Sequence, residues 1–159
     1  MEPKPPAHDI VTAYHEAGHA VVALALGRTI HKVSVLPNRE RLGEVRFAKG
    51  AAKPTDDWIE REILIALAGP VAEARFTGTF SEAAAHDDLR FVRRLALERK
   101  SDRAAGRYEQ RMLDKAEYML ADDATWDAVV RIAEELMAHG EISGRAARHF
   151  YELATKEES

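Results

Sequence analysis

Residues 15–19 read His-Glu-Ala-Gly-His, an HExxH pattern. Two histidines four apart lie one turn apart on the same face of a helix, so both imidazoles can reach one metal ion. Glu16 follows the first histidine directly and is close enough to take a proton from a water held by that metal. Two imidazoles, a water and a carboxylate base are the minimum apparatus for metal-assisted amide hydrolysis. The bland alternative is a chance match on an exposed helix. The flanking residues argue against it. Ile10, Val11, Ala13, Val21, Val22, Leu24 and Leu26 make the helix apolar on most sides, which buries it and the motif with it.

Two histidines leave a tetrahedral catalytic zinc one protein ligand short. The chain has no cysteine, so thiolate ligands and disulfides are excluded and the third ligand must be histidine or carboxylate. No third histidine lies near the motif. In the helix expected after residue 85, Leu89, Val92, Leu95 and Ala96 mark the apolar stripe. One turn before Val92 is Asp88, which therefore faces the core. Asp87 is rotated by about 100°, toward Arg90 and Arg94, and is the fallback. A buried unpaired carboxylate is expensive, and a metal removes that cost. The competing role for Asp88 is a charge favouring the helix dipole. Glu73 shares a side of its helix with Ala66 and Gly69, and is either a partner orienting a histidine N–H or a surface carboxylate. His86 reads as a capping or surface residue. His8, His31, His139 and His149 read as structural.

These groups need elements to hold them. Asp9 is the expected N-cap of a helix running to about Leu26 and stopped by Gly27. Gly18 costs about 1 kcal/mol relative to alanine inside a helix, which points to close approach by a neighbouring element. His31–Leu36 and Gly43–Phe47 alternate around a polar break and read as two short strands, with 49–54 as a linker. Thr55 is the expected cap of a second helix reaching about Phe76, with Asp56 and Asp57 in its first turn. Pro70 is expected to kink it. Further helices are expected at about 83–100, 102–121, 124–139 and 144–156, the last capped by Ser143. The expected fold class is mainly α (α+β), a helix bundle with a small early β element. Residues 9–157 form one expected domain after a flexible lead-in at 1–8.

Composition narrows the function classes. A net charge of −4 leaves no overall basic footprint for nucleic acid. The series Arg99, Lys100, Arg103, Arg107 and Arg111 is interleaved with Asp102, Glu109 and Asp114, and reads as a solvated face rather than a site for RNA or an acidic partner. The apolar runs Ala20–Leu26 and Ile63–Ala68 fall far short of the ~20 residues that span a bilayer. Met1–Pro6 has no basic segment followed by an apolar one, as a secretory signal requires. The expected location is cytoplasmic.

Thr12–Val22 resembles, nearly residue for residue, the zinc helix of the peptidase domain of the FtsH-type membrane AAA proteases. His31–Val35 and Leu42-Gly43 resemble that family's β element. Leu67-Ala68-Gly69-Pro70-Val71-Ala72-Glu73 resembles the segment usually written Gly-Gly-Arg-Val-Ala-Glu, with Pro70 in place of arginine. Ala85-His86-Asp87-Asp88-Leu89 resembles Ala-Ser-Asn-Asp-Leu, whose aspartate is the third zinc ligand and matches Asp88. Arg111–Ile142 is similar in a looser way. The resemblance implies an FtsH-peptidase-like fold, Zn²⁺ held by His15, His19 and Asp88, and Glu16 as general base.

The family carries a membrane anchor and an ATPase ring ahead of this domain. This sequence contains neither, and no Gly-rich phosphate loop. The expected substrates are therefore unfolded polypeptides or peptides, with a separate ATPase or unfoldase as a candidate partner. The oligomeric state is open, since the family's hexamer is organised largely with the ATPase. Substrate is expected to lie extended along the strand edge at Gly43–Phe47. A catalytically silent zinc-binding interaction module is the main alternative. It has no use for Glu16, and a structural zinc is normally closed by a fourth protein ligand. A metal-free helical adaptor would leave His15, His19 and Asp88 buried and unpaired.

Overall fold

A computed structural model describes residues 9–37, 43–48 and 57–156. The lead-in at 1–8, the polar break at 38–42, the linker at 49–54 and Thr55 lie outside the described residues. The elements run α1 (Ile10–Ala25), β1 (Ile30–Ser34), β2 (Glu44–Phe47), α2 (Trp58–Thr77), α3 (His86–Arg99), α4 (Asp102–Ala121), α5 (Asp123–His139), β3 (Glu141–Ser143) and α6 (Gly144–Lys156).

α1 begins where its cap dictates. The Asp9 carboxylate accepts the Val11 N–H at 3.0 Å, satisfying one of the helix's orphan donors. Gly27, at φ 83°, takes the left-handed conformation that ends the helix. α1 is the central helix: Ala13, Ala17, Ala20, Val21, Val22 and Ala23 are all fully buried. α2 packs along it closely enough that a Cβ on Gly18 would lie 2.5 Å from the Ala68 carbonyl oxygen and from the Ala72 Cβ. The helix cost of glycine at 18 is thus offset by close approach of two backbones.

Four expectations need correction. α2 starts at Trp58, later than the proposed Thr55 cap allows. Its N-cap is Asp57, whose carboxylate accepts the Glu60 N–H at 2.9 Å. Asp57 is therefore the cap itself and not part of the first turn. α3 starts at His86 rather than near 83, because 82–85 form a turn in which Ser81 Oγ accepts the Ala84 N–H. β1 is Ile30–Ser34 rather than His31–Leu36.

A third strand, β3, was not expected from the pattern. It lies beside β1 in an antiparallel sheet of order β2-β1-β3. Val33 of β1 faces Val45 on one side and Ile142 on the other, and His31 sits in a bulge between Ile30 and Lys32. α2 continues as a helix through Pro70. Among the described residues, no helix is long and apolar enough to cross a membrane.

Candidate metal centre

His15 and His19 lie on the face of α1 turned toward α2, with side-chain exposures of 13 and 12%. α3 packs against α2 and brings Asp88, in its first turn, to the same place. The Asp88 carboxylate oxygen Oδ2 stands 2.9 Å from His15 Nε2 and 3.5 Å from His19 Nε2. Ligand atoms of a tetrahedral zinc with bonds of ~2.0 Å sit ~3.3 Å apart, and these separations bracket that value. The ligand-type atoms of the three residues all lie within 4.8 Å of one another. Asp87, by contrast, is exposed.

The other ring nitrogens are occupied. His19 Nδ1 is 2.7 Å from the Ile65 carbonyl oxygen, and His15 Nδ1 is 3.4 Å from Glu73 Oε1. A neutral imidazole has one N–H to donate. With that proton held at Nδ1 by an acceptor, Nε2 presents its lone pair, and both Nε2 atoms point at Asp88. Without a cation the acceptors outnumber the protons of two neutral rings, so the site favours an added positive charge. The titration of the groups expresses this. Burial pushes His19 down, yet the Asp88 and Glu16 carboxylates and the Ile65 carbonyl outweigh it and raise its pKa to about 9. Burial likewise pushes the Asp88 carboxyl up, and the two imidazoles hold it well below the usual carboxylate range. A divalent cation between two Nε2 lone pairs and a carboxylate satisfies the same field, so the residues fit the metal.

Glu16 is 7% exposed, one of few charged groups buried in the core. Gly43, just ahead of β2, rests on it. A Cβ there would be 2.9 Å from Glu16 Cγ and from Thr12 Cγ2. The start of β2 therefore lies directly against Glu16. The remaining described histidines stand apart. His86 and His31 are exposed, His139 pairs with Glu135 at 3.3 Å, and His149 meets the edge of Phe150. Of the basic series, Arg99 pairs with Asp57, while Lys100 and Arg111 stand over the Tyr108 ring.

Two imidazoles and a carboxylate thus stand around one point, a set that can hold one metal ion, and the Glu16 carboxylate is buried next to His15 in the chain. The model of Peptidase family M41 matches residues 5–101, which include all four of these side chains. The chain belongs to this family. Among curated relatives, the ATP-dependent zinc metalloprotease FtsH of Pelobacter propionicus is 38% identical over 95 residues, which cover 54% of this chain and 14% of the relative. FtsH 2 of Methylacidiphilum infernorum is 38% identical over 80 residues, covering 48% of this chain and 12% of its own. The corresponding protein of Lactococcus lactis is 34% identical over 82 residues, with the same coverage. The chain thus spans a small fraction of the length of the M41 relatives it matches, which are named zinc metalloproteases.

Two contributors to the site were not found from sequence. The Ile65 carbonyl carries no side-chain signal at all. Gly69 was read as a small residue on the Glu73 side of its helix and as part of a family-like segment, without a role of its own at the site.

Proposed function

We propose that this chain is a zinc-dependent endopeptidase domain acting on unfolded polypeptides or peptides. His15, His19 and Asp88 are the ligands, and Glu16 is the general base. The observation that carries the reading is the set of acceptors around the imidazoles. Glu73 and the Ile65 carbonyl hold the two Nδ1 atoms, so both Nε2 atoms converge on Asp88. Zinc bound there supplies Lewis acidity and brings the pKa of water toward about 7. Glu16 takes the proton of the attacking water on a carboxylate oxygen and passes it to the leaving amine nitrogen as the amide C–N bond breaks. Its burial keeps that carboxylate in a weakly solvated setting, where proton transfer is sensitive to position. Glu73 keeps His15 in one tautomer and one orientation.

β2 is the substrate-facing edge in this reading. It is a terminal strand of the sheet, and Gly43 joins it to Glu16. The Ala48 N–H donates to the Thr29 carbonyl on the β1 side. Alternation along the strand then turns the N–H groups of Val45 and Phe47 outward. An extended polypeptide pairing with them gains main-chain hydrogen bonds with little demand on its sequence. Such a substrate must arrive unfolded, and an ATP-driven unfoldase is the partner this calls for.

The test is cleavage of an unfolded, fluorescently labelled protein by the zinc-loaded chain beside Glu16→Gln. The wild type is expected to cut. The variant is expected to lose activity by about 10²–10⁴-fold, the usual contribution of a general base, while keeping its zinc. No cleavage by wild type with zinc bound would favour the silent binding module instead.

A further inference from the structure

Gly69 lies in the middle of α2, where a glycine costs about 1 kcal/mol relative to alanine. The backbone is not what requires it, since Gly69 is absent from the positive-φ glycines. The space beside it does. A Cβ on residue 69 would fall against His19 Nε2, 2.5 Å from His19 Cε1 and 2.8 Å from His15 Nε2. No real Cβ sits that close to a ring atom. The two nitrogens it would strike are the same two that converge on Asp88.

We infer that Gly69 is a positioning residue for the metal centre: its missing side chain is the space in which the two Nε2 atoms and the cation meet. This rests on the zinc reading above. A zinc ion bound by both imidazoles stands about 2.0–2.1 Å from each Nε2, and a methyl group at 69 competes for the volume against those atoms. Either the methyl fills that volume or the rings turn away, and both end the convergence. The rings are not free to yield, because Ile65 and Glu73 hold their Nδ1 atoms and both lie on α2 with Gly69. One helix therefore supplies the two fixed acceptors and, between them in sequence, the gap.

The experiment is zinc affinity by chelator competition, with thermal unfolding of the metal-free proteins, for wild type, Gly69→Ala and Gly106→Ala. Gly106 is also inside a helix, and a Cβ there meets nothing. Gly69→Ala is expected to lose zinc affinity by about a hundredfold or more, at or beyond the upper end of outer-shell effects. Gly106→Ala is expected to keep it. Metal-free Gly69→Ala is expected to remain folded. Zinc affinity within about threefold of wild type in Gly69→Ala would overturn the inference.

Should Gly69→Ala fail to fold, Gly69→Ala combined with His19→Ala removes the struck ring. Recovery of the fold supports the clash, and continued failure overturns it by assigning Gly69 to the helix packing. Should wild type bind no zinc, the metal reading fails by itself. The inference is then read from the His15 and His19 ring resonances of the metal-free proteins: displaced in Gly69→Ala supports it, and unmoved overturns it.

Discussion

Where α1 meets the middle of α2, many of the buried residues are small: Ala13, Ala17, Gly18 and Ala20 on one helix, Ala66, Ala68, Gly69 and Ala72 on the other. Polar side chains are buried beside them, Glu16 and Glu73 among the few in the core. α4 and α5, which pack against α2 and α1, are built otherwise. α4 and α5 bury Met112, Leu120, Val129, Ile132 and Leu136, and their outer faces carry charge, as in the Asp127–Arg131 pair one turn apart. Small residues bury little apolar area each, and larger side chains on the same two helices, Val21, Val22, Leu64 and Leu67, supply the apolar burial there. What the small residues provide is proximity: backbones close enough for a carbonyl of α2 to reach an imidazole of α1. The second region supplies stability by ordinary large-side-chain packing, with polar groups left at the surface. Position is concentrated where α1 meets α2, while large-side-chain packing is spread over all four helices, as expected when a site departs from the rules its scaffold obeys.

Paired substitutions test that division most strongly. Asp88→Ala removes a proposed ligand, and zinc binding is expected to be lost, by more than the ~10–100-fold typical of residues behind the ligands. Asp87→Ala, one residue away and exposed, is expected to leave zinc affinity unchanged. Zinc retained in Asp88→Ala and lost in Asp87→Ala would move the ligand and break the account of the site. On the other side, Leu136 is fully buried. Leu136→Ala is expected to cost about 2–5 kcal/mol in denaturant unfolding. Its zinc affinity, measured where the variant is still folded, should match wild type. A large affinity loss there would mean that the two regions are not separable.

Glu73→Gln is a finer probe. The amide keeps the shape but removes the carboxylate that faces His15 Nδ1 at 3.4 Å. Zinc affinity is expected to fall about 10–100-fold, with stability of the metal-free chain little changed. An unchanged affinity would reduce Glu73 to a packing role.

The contrast between the regions also decides what could be read in advance. The outer helices α4, α5 and α6 are amphipathic, and α4 and α6 run over the expected spans because their apolar spacing is periodic. The orientation of Asp88 was legible for the same reason: Val92, one turn on, is buried. β3 was not legible. Three residues carry no period, and Glu141–Ser143 become a strand only because β1 lies alongside. The start of α2 was misread because Thr55, Asp56 and Asp57 are all good caps in sequence, and it is Asp57 that accepts the Glu60 N–H. Gly69 illustrates the general reason. What it contributes is an absence of atoms, and the neighbours that give the absence meaning lie some fifty residues earlier in the chain.

The smallest expected effect concerns the edge of the site region. Val45 N–H points away from β1, so Val45→Pro removes a donor that no strand uses among the described residues, at a terminal strand where proline is tolerated. The folded state should therefore lose little. A polypeptide pairing along β2 would lose one hydrogen bond, worth about 1 kcal/mol or roughly fivefold. That loss should appear in KM with kcat nearly unchanged, because Glu16 and the ligands are untouched. A fall in kcat with KM constant would place the effect on the base instead, through Gly43, which rests on the Glu16 stem. If neither parameter changes, substrate does not run along this edge. The role of β2 would then shrink to covering Glu16.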